Sequence, residues 1–397
     1  MWVSHVRANL LRYRSDEPAG ECPICLEQLD NRSEEVLRIA CGHAYHGRCL
    51  REWCTSGGRT CPLCRDDGAC SAPLAPGTLE IAEYAFRGRQ LRSVIIPDSV
   101  TRIGNKAFEE TGLEQVTIPS AVTHIGEFAF ADNRLRFVTL PDSLERIETG
   151  TFAKNRLGAL TIPRAITYIG DVAFADNDLT SLSMADSGVA YIGLGAFDRN
   201  LLTKVTIPSS VTHIGQLAFR GNRLIELTIP SAVTHIGECA FEHNRLISVS
   251  MPDSTLGRVG DCAFASNWLA RVVIPSSVTH IGDSAFEHNK LTSVRFLGSR
   301  VEHIGSSAFS NNRLKTVTIP SSVTHIESFA FWGNELTSVR ISASVLHIKA
   351  HAFMQNRLTE VHVSVKTTVD RQAFDENVRI VRVRRRRRQS DGAPSAR

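Results

Sequence analysis

Eight residues near the start of this 397-residue chain have the types and the spacing to hold metal. They read Cys22-x-x-Cys25, then Cys41-x-His43-x-x-His46-x-x-Cys49, then Cys61-x-x-Cys64. A Cys-x-x-Cys turn puts two thiolates on one side of a tight loop, the bite that tetrahedral zinc needs. A disulfide cluster with stray histidines is the other arrangement such residues allow. The compartment separates the two. Met1 to Asp16 carries His5, Arg7, Arg12 and Arg14 among apolar residues, without the apolar core and cleavage site of a secretory signal. A reducing, intracellular setting is therefore expected: cytoplasm, nucleus, or a host cytosol reached by an exported effector. There, clustered cysteines are metal ligands more often than disulfides.

The order and all the gaps resemble the RING family in its two-histidine form. That resemblance implies interleaved sites for two zinc ions. Cys22, Cys25, His46 and Cys49 would hold one, and Cys41, His43, Cys61 and Cys64 the other. Each zinc would supply on the order of 10 kcal/mol of folding free energy to so small a module. Four protein ligands leave no open position, so neither ion would be a catalytic metal.

A RING domain acts by gripping a ubiquitin-conjugating enzyme charged with ubiquitin and holding the thioester ready for attack. The positions that do this in the family are matched. Ile24 lies inside the first Cys-x-x-Cys, Trp53 follows Cys49 by four residues, and Pro62 lies inside the last Cys-x-x-Cys. Together they resemble the apolar groove that receives the conjugating enzyme. Arg65 matches the arginine that bridges enzyme and ubiquitin. A planar guanidinium can reach two carbonyls at once. Ordinary packing for Ile24 and Trp53, and a solvated charge for Arg65, are the plain alternatives. The implied activity is that of a RING-type ubiquitin transferase, with no covalent ubiquitin intermediate on this chain. A transthiolating route would need an activated cysteine beside a base. Cys54 sits where the family has an apolar residue, which suits burial, and Cys70 lies in the linker.

The rest of the chain must position this module and whatever it acts on. An Ala-Phe or Thr-Phe pair recurs at Phe86, Phe108, Phe130, Phe152, Phe174, Phe197, Phe219, Phe241, Phe264, Phe286, Phe309, Phe331, Phe353 and Phe374. Spacings of 21 to 23 residues over fourteen copies indicate a solenoid. In one unit, Leu227 and Ile229 alternate with polar neighbours as a half-buried strand should, and Pro230 ends it. Val233, Ile236 and Phe241 bring a second apolar run back to the same core. No unit can bury these residues alone, so neighbours must stack. The Leu-x-x-Val-x-Ile-Pro strand, the Val-x-x-Ile-Gly turn and the Ala-Phe resemble leucine-rich repeats of the BspA type, named after bacterial surface antigens.

An asparagine recurs three residues after Phe, from Asn133 to Asn377, where a stacked amide can pair turn backbone repeat after repeat. Arg89 and Thr111 replace it in the first two units, as suits capping repeats. Histidine recurs six residues before Phe, at His124, His213, His235, His280, His303, His325 and His347. Stacking would let these bind metal or sense pH. Arg102, Arg146, Tyr168, Tyr191 and Arg258 fill the same slot elsewhere, which favours a tolerant polar ladder. Cys239 and Cys262 occupy equivalent places in adjacent repeats and read as stacked, inert thiols.

The expected division is a lead at 1–21 whose apolar spacing would suit a short helix, a RING at 22–65, a linker at 66–77, a solenoid at 78–383 and an arginine-rich tail at 384–397. The fold class is a small zinc-bound α+β RING domain followed by a β-rich leucine-rich-repeat solenoid of about fourteen repeats. The net charge of +4 belongs to the tail, since Val378 to Arg397 holds eight arginines and one aspartate and the other 377 residues sum to −3. A run such as Arg384 to Arg388 cannot pack and is expected to be disordered. It suits a nuclear-import signal or phosphates of nucleic acid or anionic lipid, and equally a solubilising tail. No run of the sequence approaches 18 apolar residues, so no membrane-spanning helix is expected.

The expected partners are a charged conjugating enzyme and ubiquitin on the RING, and a protein substrate on the repeats. Outward strand residues are mostly Thr and Ser, turning to Arg295, Arg340 and His362 near the end, which suits a partner with an acidic patch. The rival from another class is a non-enzymatic interaction or adhesion protein with the RING as a zinc-bound scaffold.

Overall fold

The computed structural model describes residues 21–29, 36–38, 43–55, 61–63, 74, 77–253, 255–298 and 300–384. The lead expected at 1–21 falls outside these residues except for Glu21, and so does the tail beyond Arg384. The chain divides into two compact units, residues 1–208 and 209–397.

Within the first unit, the N-terminal part is small and built around its cysteines. Strand β1 (Val36–Arg38) pairs antiparallel with β2 (Ala44–His46), with Leu37 opposite Tyr45. Helix α1 (Gly47–Thr55) follows β2 directly. The turn that carries the first two cysteines closes on itself, Leu26 donating to Cys22 O at 2.7 Å and Cys22 to Glu27 O at 2.8 Å. Cys22, Leu29, Tyr45, Cys49, Leu50 and Cys61 form its buried core. An apolar core this small needs another source of stability, and metal is the usual one.

The repeats give each unit its mass. The expected Leu-x-x-Val-x-Ile strand is present, for example as Glu226–Thr228, which pairs in parallel with Ser248–Ser250. The structure adds a second strand of two residues at the turn. In the second unit His213–Ile214, 235–236, 258–259, 280–281, 303–304, 325–326, 347–348 and 368–369 pair in parallel in that order. The first unit does the same over 80–81, 102–103 and 124–125, and over 146–147, 168–169 and 191–192. The sequence pattern predicts only one strand per repeat, because two residues are too few to show an alternation.

Glycine permits this turn ladder. A Cβ on Gly237 would lie 2.5 Å from Gln216 N and Gly215 C, both backbone atoms of the preceding repeat. At Gly237 itself there is room only for a hydrogen, although Glu148, Glu327 and Lys349 hold the equivalent slot in other repeats.

Behind the turn, the phenylalanines stack face to face. In the second unit Phe219 and Phe241 have ring centroids 5.5 Å apart and 2° from parallel, and the column runs on to Phe374. From Phe219 to Phe353 the backbone passes through the left-handed region on either side of each ring, as at Cys239 (φ 52°) and His243 (φ 54°). Such residues are strained singly. Here the stack holds them: Cys239 donates to Asp261 O at 2.7 Å, Phe241 to Ala263 O at 2.9 Å and His243 to Ala265 O at 3.1 Å.

Most turns are locked by an asparagine, buried from Asn133 to Asn334 and half-buried at Asn356, whereas the expected last member, Asn377, is exposed. Asn244 Nδ2 donates to Phe219 O at 2.9 Å, Phe241 O at 3.2 Å and Glu242 O at 3.3 Å, while its Oδ1 accepts from Leu224 N at 3.0 Å. The amide therefore sews its repeat to the one before. At the start of the array Thr111 takes the slot, fully buried, and donates to Asn133 Oδ1 at 2.7 Å.

Candidate metal centre

The turn at 22–25, the end of β2 and the first turn of α1 bring four ligand atoms to one place. One atom each from Cys22, Cys25, His46 and Cys49 lies within 4.8 Å of all the others. Position follows from the local chain. The tight turn presents Cys22 and Cys25 together, β2 ends on His46, and the first turn of α1 carries Cys49 back toward them. Cys25 Sγ lies 3.2 Å from His46 Nδ1. The other ring nitrogen, Nε2, is 3.1 Å from Gln28 O. A carbonyl only accepts, so the neutral ring carries its proton on Nε2 and turns a lone pair on Nδ1 toward the thiols.

The thiols themselves call for a cation. Burial raises the Cys22 thiol, but hydrogen bonds from the backbone of Cys25, His46 and Ile24 and from the Cys25 side chain outweigh it and bring it to about 7. Burial, then Cys25 and Cys22, pushes Cys49 up to about 12. Three thiols in one spot cannot all ionise unless a positive ion sits among them. Three sulfurs and one imidazole nitrogen are a zinc donor set of the structural type. The described cysteines form no disulfide.

Half of the other proposed set lies within the described residues. Cys61 Sγ is 3.5 Å from His43 Nδ1. Cys41 and Cys64 fall outside the described residues. The sequence reading passed over Tyr45, which is fully buried and has its hydroxyl 3.0 Å from Cys61 Sγ. An aromatic residue between two ligand histidines was the available signal.

Ile24 is half-buried and packs against the cysteine core. Trp53, on α1, is 36% exposed, and Pro62 is half-buried. Arg65 and Cys70 fall outside the described residues, as does the side chain of Cys54.

Two features of the repeats resolve differently. Cys239, Glu242 and Cys262 bring ligand atoms within 4.8 Å of one another. Burial and the Glu242 carboxylate push Cys239 up to about 12 and raise Cys262, so both remain thiols at neutral pH. The histidines do stack, His280 through His347 lying in register, with the His325 and His347 rings 5.1 Å apart. Thr279 and Thr324 hydroxyls lie 2.8 and 2.9 Å from Nδ1 of His280 and His325. Among the described residues no three of these histidines converge on a metal position. Of the C-terminal outward residues, Arg295, Arg340 and His362 are all exposed, His362 Nε2 lying 2.9 Å from Glu360 Oε1. Among the described residues no helix is long and apolar enough to cross a membrane.

Comparison with known proteins assigns both parts. The Ring finger domain family matches residues 20–65. The chain is 40% identical over 68 residues to the E3 ubiquitin-protein ligase RHA2B of Arabidopsis thaliana, covering 17% of this chain and 42% of that protein. It is 39% identical over 59 residues to the E3 ubiquitin-protein ligase RHA2A of the same plant, covering 14% of this chain and 37% of that one. The chain thus spans less than half the length of these relatives. A solved leucine-rich repeat protein from Bacteroides ovatus shares the repeat fold, with a TM-score of 0.57 and 24% identity over 77% of this chain and 88% of that one. The BspA-type leucine-rich repeat region family matches residues 79–201, 190–311 and 281–384. The asparagine and phenylalanine ladders of residues 79–384 are thus the core of a family fold, and the chain belongs to the BspA-type leucine-rich repeat family, with a two-histidine RING zinc finger at its N-terminal end.

Proposed function

We propose that this chain is a RING-type ubiquitin ligase with two zinc ions, in which the RING recruits a charged conjugating enzyme and the repeats bind the substrate protein. The observation that carries the reading is the convergence of Cys22, Cys25, His46 and Cys49 with Ile24 packed against them and Trp53 exposed beside them on α1. A closed four-ligand site offers the metal no reactive position, so its task is to shape a surface. Ile24, Trp53 and Pro62 supply the apolar groove for the conjugating enzyme. Arg65 supplies the bridging guanidinium, and Cys41, His43, Cys61 and Cys64 hold the second ion. Transfer then proceeds from the conjugating enzyme straight to the substrate lysine, accelerated by holding the thioester in a reactive pose. The setting is the reducing interior of a cell, where these thiolates keep their metal.

The test is single-turnover discharge of ubiquitin from charged conjugating enzymes to free lysine, across a broad panel. Acceleration by the wild-type chain with at least one enzyme is the expected result. Acceleration with none would leave the zinc-bound scaffold as the better reading.

A further inference from the structure

The repeats of the second unit hold an exposed apolar centre set among cations. Trp268 is 46% exposed. It stands directly after a buried asparagine, where the neighbouring repeats have Arg223, Arg245, Lys290 and Arg313. The Arg245 guanidinium lies 6.0 Å from the centre of the Trp268 ring and the Lys290 ammonium 4.8 Å. One comes from the repeat before and one from the repeat after, so the indole is held between two cations. Ile225 and Ile247 stand two positions beyond the Arg223 and Arg245 slots and are 45% and 48% exposed, and Val273 is 39% exposed. A single exposed apolar residue is ordinary, whereas several in adjoining repeats make a patch.

Around Trp268 the charge is mostly positive, with Glu226 an exposed carboxylate at the Ile225 edge of the patch. Arg245, Arg271, Lys290, Arg295, Arg313 and Lys315 are all exposed. The segments 244–251, 267–274, 289–296 and 312–319 contain no aspartate or glutamate. Among the described residues the ion pairs of these repeats, such as His243–Glu242, Arg258–Asp261, His288–Glu287 and His303–Glu327, lie outside those segments. Further along, Glu335 approaches Arg357 at 3.9 Å and Glu360 approaches Arg379 at 3.5 Å.

We infer that this face binds an acidic segment of a protein partner that carries an apolar side chain among its carboxylates. The inference rests on the reading of the repeats as the substrate-binding part and names the chemistry they take. Tryptophan and arginine at the centre of a surface are the residues that dominate protein interfaces. The surrounding cations steer an acidic chain toward them and make binding weaken with salt. A single-stranded nucleic acid fits less well. Base stacking needs an open ring face, and each neighbouring repeat sets a cation over the indole of Trp268.

The experiment uses the full zinc-loaded chain and a fluorescein-labelled peptide of about a dozen residues, alternating Asp or Glu with Leu, read by fluorescence anisotropy. Binding should weaken with added salt. Trp268→Ala should weaken it about tenfold or more, and so should replacing the peptide's leucines by serine. The double variant R245E/K290E should abolish it. These side chains are exposed, so both variants should melt as the wild type does. No binding of the peptide to the wild-type chain, or equal binding by both variants, overturns the inference. Tighter binding of an oligothymidine strand or of phosphatidylserine vesicles, lost in R245E/K290E, overturns it in favour of those partners. Discharge of ubiquitin to free lysine needs no substrate protein, so failure here and failure of the ligase reading are distinguishable.

Discussion

Cys25 Sγ and His46 Nδ1, twenty-one residues apart in the chain, lie 3.2 Å from each other. This pair closes the gap between the turn and the strand that a metal ion would bridge. Cys25→Ser should cost the chain a zinc and unfold residues 22–64, because each structural zinc supplies on the order of 10 kcal/mol. The repeats have their own core and should keep their circular dichroism. Elemental analysis of the wild type should find two zinc ions per chain; one or none would end the two-site assignment.

Trp53 and Arg65 should fail in different ways. Trp53→Ala should weaken conjugating-enzyme binding by at least about 2 kcal/mol, as loss of an aromatic anchor does. Arg65→Ala should leave binding nearly intact and slow discharge, because its bonds form mainly in the reactive pose. Binding isotherms and single-turnover rates separate the two. An Arg65→Ala chain as fast as an active wild type would rule out the bridging role.

Removing one asparagine from the ladder should be costly. Asn244→Ala strands Leu224 N–H and takes a donor from Phe219 O, Phe241 O and Glu242 O, in a site where Asn244 is only 5% exposed. The expected loss is about 3 kcal/mol, from one or more unsatisfied buried groups. Urea unfolding measures it. Asn244→Asp keeps the acceptor and loses the donor, so it should rescue little.

Two glycines a short distance apart make a controlled comparison. Gly237→Ala drives a Cβ into backbone of the preceding repeat, whereas at Gly257 the nearest atom, Thr234 O, is 4.0 Å away. Gly237→Ala should destabilise by at least about 2 kcal/mol and Gly257→Ala by well under 1 kcal/mol. Similar melting of the two variants would show that the turn ladder adjusts more freely than its spacing implies.

His124 should make the first unit sensitive to acid. Burial, and then the Arg102 charge, hold its imidazole below the usual 6.5, with Glu148 and Glu80 pulling the other way. The unfolded chain therefore binds the proton more readily than the folded one. Stability tied to His124 is fully present above pH 6.5 and is lost as pH falls below it toward the depressed folded value. His124→Gln should flatten the pH dependence of the melting temperature in that window and leave it unchanged at pH 8. An unaltered slope would count against the burial account.

The sequence by itself determined the period, the phenylalanine and asparagine columns and the order of the metal ligands. Each is a residue type repeated at a spacing that only one local geometry satisfies. Cys22-x-x-Cys25 can bite a metal before anything else folds, and an amide three residues after Phe241 can reach only its own turn and the one beside it. Tertiary structure decided what lies across repeats. Nothing local marks His235–Ile236 as a strand, since two residues gain a ladder only when the repeats on either side are stacked against them. The same stacking sets Arg245 and Lys290 about the ring of Trp268, bringing residues some 22 positions apart into contact. In the sequence they share only a slot, the position after each ladder asparagine. In the solenoid they are neighbours, because a fixed repeat length turns distance along the chain into adjacency along the array.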